Sequence, residues 1–169
     1  DEGFYPDDIA VESALGDYRK KINQARNVQE LLSAEAHFAK KLYKYAAINT
    51  GYDDFARDTS GVDATNRLLN HGNYLAYGMA ASVLWVLGIP HGFALMHGKT
   101  RRGALVFDVA DLIKDILVLP WAFICAANGD SHQEFRTKCL EKFVEYSALD
   151  YMYDNVKGQS LRWYKEDES

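Results

Sequence analysis

The amino-acid sequence predicts an all-α fold in a single domain. The chain has 169 residues, which is enough for one well-buried core and too few for two ordinary domains. It contains only three prolines, so long helices can run without interruption. In its clearest segment, Leu31 to Tyr45, apolar residues recur at steps of three and four, which is the spacing of an amphipathic helix.

Capping residues and turns divide the chain into five or six helices. Asn27 and Glu30 have the spacing of a capping box at the start of the second helix. Residues 51–61 are typical of a polar loop, and residues 91–103 of a connector with three glycines. The first three predicted helices run from Asp8 to Arg26, from Asn27 to about Asn49, and from Asp63 to the turn at Gly88. The fourth runs from Ala104 past Asp111, and Pro120 opens or kinks the helix that follows it. The last two run from Ser131 to about Tyr146 and from Leu149 to Val156.

Composition places the chain among soluble globular proteins, with 48% hydrophobic and 25% charged residues. The stretch from His71 to Gly98 has no Asp, Glu, Lys or Arg, but its histidines, asparagines and glycines favour a helix buried on all sides over a membrane span. Trp85 and Trp121 are expected in the core. Cys125 and Cys139 are expected to be buried free thiols in a reducing cytosol.

The net charge of −5 argues against a general nucleic-acid coat protein. Basic residues are nevertheless clustered at residues 19–21, 40–44 and 99–102. A solvated helix face explains the first two clusters in most proteins. The third cluster adjoins the most suggestive polar residues of the chain and therefore carries more weight.

A carboxylate lies on the apolar stripe of the second helix. Glu35 shares this stripe with Leu31, Phe38, Leu42 and Tyr45. Burial of an unpaired carboxylate is costly, so a compensating cation is expected. Either a structural ion pair or a metal ion satisfies that requirement.

A second acidic group lies in the segment after the connector. Asp108 and Asp111 are three residues apart and Asp115 follows four residues later, so all three share one helix face. Such like charges repel unless a cation lies between them, and hard divalent ions prefer carboxylate oxygens. Favourable interaction of these acids with the helix dipole is an equally good explanation.

His97 differs from the other four histidines in its position. It lies in the connector, directly before Lys99, Arg101 and Arg102, and 14 residues before Asp111. Imidazole and carboxylate together suit Mn²⁺, Mg²⁺ or Zn²⁺. A basic turn beside an acidic metal site is what phosphodiester chemistry requires, because cations hold the non-bridging oxygens.

Three segments together resemble the integrase subunit of CRISPR adaptation, and in particular its type I-F branch. These segments are NRLLNHGNYLAYG at 66–78, HGKTRRG at 97–103 and LVFDVADLIK at 105–114. The resemblance extends over about residues 28–149. It implies a helical catalytic domain that lacks the family's N-terminal β-rich dimerisation domain.

The resemblance also implies the site and its chemistry. One Mg²⁺ or Mn²⁺ would be held by Glu35, His97 and Asp111, with Asp108 in a supporting catalytic role. Lys99, Arg101 and Arg102 would lie along the DNA. The implied activity is endonucleolytic cleavage, and insertion of foreign DNA as new spacers by attack of a 3′-hydroxyl at the repeat border. The implied partners are double-stranded and branched DNA, a second copy of the whole protein, and a small ferredoxin-like subunit that is fused to a helicase–nuclease in type I-F systems.

Two other functions fit parts of the sequence. Helical isoprenoid-diphosphate enzymes bind Mg²⁺ through acidic helix faces, and Asp53, Asp54 and Asp58 offer a second acidic group, although in a predicted loop. A helical bundle that binds DNA or a protein partner without catalysis is the other possibility. Binding of a prenyl diphosphate and titration with Mn²⁺ distinguish these three functions.

Overall fold

The computed structural model describes residues 8–52, 54–93 and 103–166, with side chains described for 11–52, 54–93 and 103–160. Within these ranges the chain forms α-helices and one π-helical turn, so the all-α prediction is confirmed. The helices are α1 (Asp8–Gln24), α2 (Val28–Asn49), α3 (Ala64–Val86), α4 (Ala104–Ile113), the π turn (Lys114–Val118), α5 (Leu119–Asn128), α6 (His132–Glu145) and α7 (Ala148–Glu166).

Local hydrogen bonds determine where three of these helices begin. The side chain of Asn27 accepts from the backbone N–H of Glu30 at 2.9 Å, and Asp63 accepts from that of Asn66 at 2.8 Å. At α6, Ser131 and Glu134 form a reciprocal capping box. These caps satisfy N–H groups that have no partner inside their helix, and they confirm the predicted helix starts.

The core lies around α3, which packs against α4, α5, α6, α7 and the π turn. Phe123 and Phe135 are fully buried there. Gly72 lets α3 approach its neighbours closely, because a Cβ at this position would lie 2.4 Å from Val118 Cγ1 and 2.9 Å from Phe135 Cζ. The second helix reaches this core mainly through α5, whereas the main packing partner of α1 is α2.

The third helix is not buried on all sides, so that prediction is wrong. Tyr74 is 74% exposed and Trp85 is 79% exposed, which also contradicts the expected core position of Trp85. Trp121 is half-buried, and the ammonium of Lys142 lies 5.3 Å from its ring centroid. Uncharged residues on a helix therefore did not indicate complete burial here, because neighbouring helices cover only one side of α3.

Two further features of the fold differ from the sequence expectations. The last helix extends from Ala148 to Glu166, well beyond the predicted Val156. The segment after Asp111 changes to π-helical hydrogen bonding over Lys114–Val118, and Pro120 then lies in the first turn of α5. A π turn adds a residue to one helical turn, so it shifts the faces on which later side chains lie.

The cysteine prediction is confirmed: Cys125 and Cys139 are free and buried. Burial raises the pKa of each thiol to about 12, so both are protonated at neutral pH. Among the described residues, no helix is long and apolar enough to span a membrane.

Candidate metal centre

Glu35 lies on α2 where α1 packs against that helix. It is half-buried, as is Phe38 one helical turn later. The ring of Tyr18 from α1 stacks on Phe38, with centroids 4.6 Å apart and planes 5° apart. An ion pair between Lys41 Nζ and Asp17 Oδ2, at 2.9 Å, also joins the two helices. The apolar stripe predicted on α2 is therefore covered partly by α1.

The second acidic group lies on α4 and the π turn. Asp111 forms an ion pair with Lys114, and both side chains are about four-fifths buried, with 20% and 22% exposed. Burial lowers the pKa of Lys114, but Asp111 and Asp115 outweigh burial, so the pKa is raised. A structural ion pair was an expectation for Glu35 and not for this group, so the pairing of Asp111 with Lys114 was not predicted from the sequence.

Asp115 is half-buried in the π turn. Burial raises the pKa of its carboxyl, Lys114 partly opposes that rise, and the nearby charge of Asp111 adds to it. Asp115 also raises the pKa of Tyr43 on α2, after burial as the larger cause, while Arg57 opposes the rise. Asp115 in the π turn is therefore near enough to Tyr43 of α2 to affect its pKa.

The acids of α2 and of α4 with its π turn act on the same phenol. Burial raises the pKa of Tyr18, and the charges of Glu35, Asp115 and Asp111 raise it further, in that order. Coulomb interactions weaken with distance, so each of these carboxylates is near enough to Tyr18 to affect its pKa. We call Glu35, Asp111 and Asp115 the acidic cluster. Two of the three predicted metal ligands, Glu35 and Asp111, are members of this set.

The supporting acid, Asp108, is half-buried on α4, one helical turn before Asp111. Its neighbour Phe107 packs edge-on against Tyr77 of α3, with centroids 4.8 Å apart. This contact orients α4 against the central helix and thereby helps to fix where its acids lie.

Four predicted site residues, His97, Lys99, Arg101 and Arg102, lie outside the described residues. The flanks of their connector are described. The backbone N–H of Leu105 donates to the carbonyl of His91 at 3.2 Å, so the described residues on the two sides of the connector lie together at the start of α4. Gly103 ends it with a φ of 71°, a left-handed conformation that favours glycine.

A divalent ion needs several donor side chains close together. Among the described residues, no three His, Cys, Asp or Glu side chains are close enough together to hold a metal ion. Glu35 and Asp111 supply oxygen donors of the type that Mg²⁺ and Mn²⁺ prefer, and a histidine from the connector would complete a mixed donor set. The residue types at this place therefore fit such an ion.

A network around Arg57 was not anticipated from the sequence. Its guanidinium donates to Asn66 Oδ1 at 2.9 Å and to Asn70 Oδ1 at 2.6 Å. Asn66 is fully buried and donates to the carbonyl of Ala56 at 2.9 Å. These bonds hold the 54–61 loop against the first turns of α3. The asparagines of the NRLLN segment are thus structural, and their spacing of four was the only signal of this role.

The acids of the alternative diphosphate site lie elsewhere. Asp58 accepts from the backbone N–H of Ser60 at 2.8 Å and from its hydroxyl at 2.5 Å, which closes a tight turn. Ser60 lowers the pKa of Asp58 through these bonds. Asp53 is outside the described residues. Asp58 therefore has a structural role in the loop.

The fold is that of a helical domain with acids on α2, α4 and the π turn, and comparison with known proteins identifies its family. Residues 8–147 match the family described as CRISPR associated protein Cas1. The chain is 52% identical over 164 residues to the CRISPR-associated endonuclease Cas1 of Pseudomonas aeruginosa, covering 96% of this chain and 51% of that protein. It is also 52% identical over 149 residues to the protein of the same name from Pectobacterium atrosepticum, covering 87% and 46%.

This chain belongs to the Cas1 family. A solved structure described as a TtCas1–DNA complex has the same fold, with a TM-score of 0.73, 21% identity, and coverage of 92% of this chain and 62% of that one. The chain spans about half the length of the curated relatives that it matches. Membership of this family excludes the isoprenoid-diphosphate alternative.

Proposed function

We propose that this chain is the helical catalytic domain of a divalent-metal-dependent DNA endonuclease and integrase of CRISPR adaptation. The proposal is carried by the membership of this chain in the Cas1 family, and it is supported by Glu35 and Asp111, which both raise the pKa of Tyr18. The similar proteins are named endonucleases, and the TtCas1 structure is described as a complex with DNA. Those names support an endonuclease activity, and the acidic cluster supports the position of the proposed metal site.

In this proposal Glu35, His97 and Asp111 hold one Mg²⁺ or Mn²⁺, and Asp108 assists from the preceding turn of α4. The pairing of the connector's flanks at Leu105 supports the assignment of His97, since α4 carries the two aspartates. When bound, the ion supplies Lewis-acid stabilisation of charge on a phosphodiester.

The basic residues of the connector have the complementary role. Lys99, Arg101 and Arg102 are proposed to bind the phosphates of the DNA strand, Arg through paired hydrogen bonds and Lys as a point charge. Because the chain carries a net charge of −5, this local basic segment would direct a polyanion to the acidic cluster. Attack by water on the held phosphodiester gives cleavage, and attack by the 3′-hydroxyl of captured DNA gives insertion of a new spacer.

The partners are also part of the proposal. In the whole protein we expect a homodimer that acts on double-stranded and branched DNA. We further expect assembly with a small ferredoxin-like subunit, fused to a helicase–nuclease in type I-F systems. The alternative of a non-catalytic helical module remains distinguishable, because its acids would form only ion pairs such as that between Asp111 and Lys114.

The metal site is tested by Mn²⁺ titration of this chain with Glu35→Gln, His97→Ala and Asp111→Asn. Wild type should gain thermal stability with Mn²⁺ beyond the effect of equal ionic strength, and each variant should lose most of that gain. Glu145→Gln is the control, because it removes an exposed carboxylate that, among the described residues, pairs with Lys142 on α6. A wild-type response equal to that in NaCl would refute the proposed site.

The activity is tested separately with the whole protein on branched DNA that carries a CRISPR repeat. The same three substitutions should abolish both strand cleavage and strand joining while leaving DNA affinity largely intact. Arg101→Ala and Arg102→Ala should instead weaken DNA binding and reduce its dependence on salt concentration. Undiminished cleavage by a ligand variant would remove that residue from the site.

A further inference from the structure

The exposed face of α2 carries polar and basic residues in one row. Ser33, His37, Lys40 and Lys44 follow one another at steps of four, three and four, and all four side chains are exposed. We call these four residues the α2 row. It extends over about 16 Å of the helix, at about 1.5 Å per residue. Glu35 lies two positions from both Ser33 and His37, so its side chain points to the opposite side of α2.

A cleft of about 260 Å³ opens between the end of α1 and the start of α2, beside the α2 row. Its lining includes Lys21 and Gln24 of α1 together with Ser33 and His37 of α2. A narrow crevice continues between the two helices, and Lys21 and His37 also line this crevice. Side chains that can donate hydrogen bonds therefore border the cleft from both helices.

The carboxylates that line the cleft and the crevice already have partners. Glu30 accepts from the backbone N–H of Arg26 at 2.8 Å through Oε2, and from the side chain of Asn27 at 3.1 Å through Oε1. Asp17 is paired with Lys41 at 2.9 Å. These bonds satisfy the acids locally, so the acids leave the cations of the α2 row to other anions.

The charge of this part of the chain has the opposite sign to that of the whole. Residues 18–49 contain seven Lys or Arg and two Asp or Glu, whereas the chain has a net charge of −5. Among the described residues, no carboxylate forms an ion pair with Lys40 or Lys44. A linear polyanion matches such a row, since DNA carries one charge for about every 3.4 Å of each strand. The α2 row is long enough to lie beside about five phosphates of one strand.

We propose that the α2 row and the cleft beside it bind the phosphodiester backbone of double-stranded DNA, as a second contact surface outside the metal site. Lys40 and Lys44 supply point charges, and Ser33 and His37 donate hydrogen bonds to phosphate oxygens. Lys21 contacts the same strand from α1. Backbone contacts carry no sequence information, so the surface binds duplexes of any sequence. This inference rests on the proposed function for the choice of DNA among polyanions.

The test variant is Lys40→Gln with Lys44→Gln in the 169-residue chain, which removes two charges and keeps long polar side chains. Arg136→Gln with Lys157→Gln is the matched control, because it removes two charges from exposed residues of α6 and α7. Binding to a fluorescent duplex of about 24 base pairs without a CRISPR repeat is measured by anisotropy, at salt concentrations from about 50 to 200 mM. EDTA is present, so no divalent ion contributes to binding.

We expect the α2-row variant to bind the duplex about tenfold more weakly at low salt. The slope of log affinity against log salt concentration should become shallower by about two, since each lost phosphate contact changes it by about one. The control should keep the slope of wild type. Equal affinity and slope in the two double variants would overturn the inference. Competition by polyglutamate as strong as that by unlabelled duplex at equal charge would overturn it in favour of an acidic protein segment.

Mn²⁺ titration of the same proteins separates this inference from the proposed metal site. The α2-row variant should keep the wild-type gain in melting temperature, because Glu35 lies on the other side of α2. A wild-type chain that responds to Mn²⁺ but binds no duplex would overturn this inference alone. A chain that binds the duplex as expected but does not respond to Mn²⁺ would overturn the metal site alone.

Discussion

Asp111 and Lys114 form an ion pair across one turn of helix, at the place where a metal ion would need the same carboxylate. The ammonium neutralises charge that would otherwise repel Asp115, which lies close enough to raise the pKa of Lys114. A lysine in this position stabilises the metal-free cluster, and under the proposed function it would compete with the divalent ion. The pair would then link the stability of the domain to metal binding.

Replacement of Lys114 should separate its effect on the stability of the metal-free domain from its effect on metal binding. Lys114→Met should lower the metal-free stability by about 1–3 kcal/mol, which is less than for a fully buried pair because both side chains are partly exposed. The gain in melting temperature with Mn²⁺ should exceed that of wild type, because Asp111 no longer has a competing cation. Lys138→Met is the control, since it breaks the pair with Asp130 away from the cluster and should leave the response to Mn²⁺ unchanged. A smaller response in Lys114→Met would show that the lysine assists binding.

Asp115 should reduce the stability of the metal-free domain. Its raised pKa means that the fold disfavours the charged form, mainly through burial. Stability is then highest below the unfolded value of 3.8 and is lost as the pH rises through the folded pKa. Asp115→Asn should raise the melting temperature at pH 7 by roughly 2–4 °C, with a difference that shrinks towards pH 4. The exposed Asp154→Asn on α7 serves as the control. Destabilisation at pH 7 would indicate that the Lys114 attraction outweighs burial.

The histidine on α3 should make the domain sensitive to mild acid. Burial lowers the pKa of His71, and the charges of His132 and Arg136 lower it further. Its Nε2 atom is buried without a hydrogen-bond partner in the described structure. As the pH falls below 6.5, the unfolded chain takes up a proton that the folded chain resists, so stability should fall until the lowered folded pKa is reached.

The substitution His71→Phe tests this origin of the acid sensitivity. It keeps an aromatic ring beside Phe135, whose centroid lies 6.2 Å from that of His71. The difference in melting temperature between pH 7.5 and pH 5.5 should be smaller than in wild type. His37→Asn, an exposed change on α2, should retain the wild-type difference because His71 is still present. Equal pH dependence in wild type and His71→Phe would exclude this origin.

Two glycines of the same helix should respond in opposite directions to alanine. Gly72→Ala should destabilise the domain by about 1–3 kcal/mol, because the new Cβ would overlap Val118 and Phe135. Gly78→Ala meets no atom within 4 Å and should stabilise the helix by about 0.5–1 kcal/mol. Urea unfolding of both variants provides the measurement. Stabilisation by Gly72→Ala would mean that α3 and the π turn can move apart at little cost.

The sequence by itself determined the features that depend on residues within one helical turn. Asn27, Asp63 and Ser131 begin their helices because each side chain accepts from a backbone N–H three residues later, and such bonds need no tertiary contact. The same locality placed Glu35 on the apolar stripe of α2. Longer matched segments were sufficient for the resemblance to the family, and the comparisons confirm it.

Only the tertiary structure decided which groups meet across helices. The influence of Glu35 and Asp111 on the pKa of Tyr18 depends on how α1, α2 and α4 pack, and no spacing in the sequence encodes that arrangement. The exposure of Trp85 likewise depends on which side of α3 its neighbours leave uncovered. The π turn arises where the chain packs Leu117 and Val118 into the core and places Asp115 in the acidic cluster. Packing energies are summed over residues distant in sequence, so they become visible only when the whole fold is assembled.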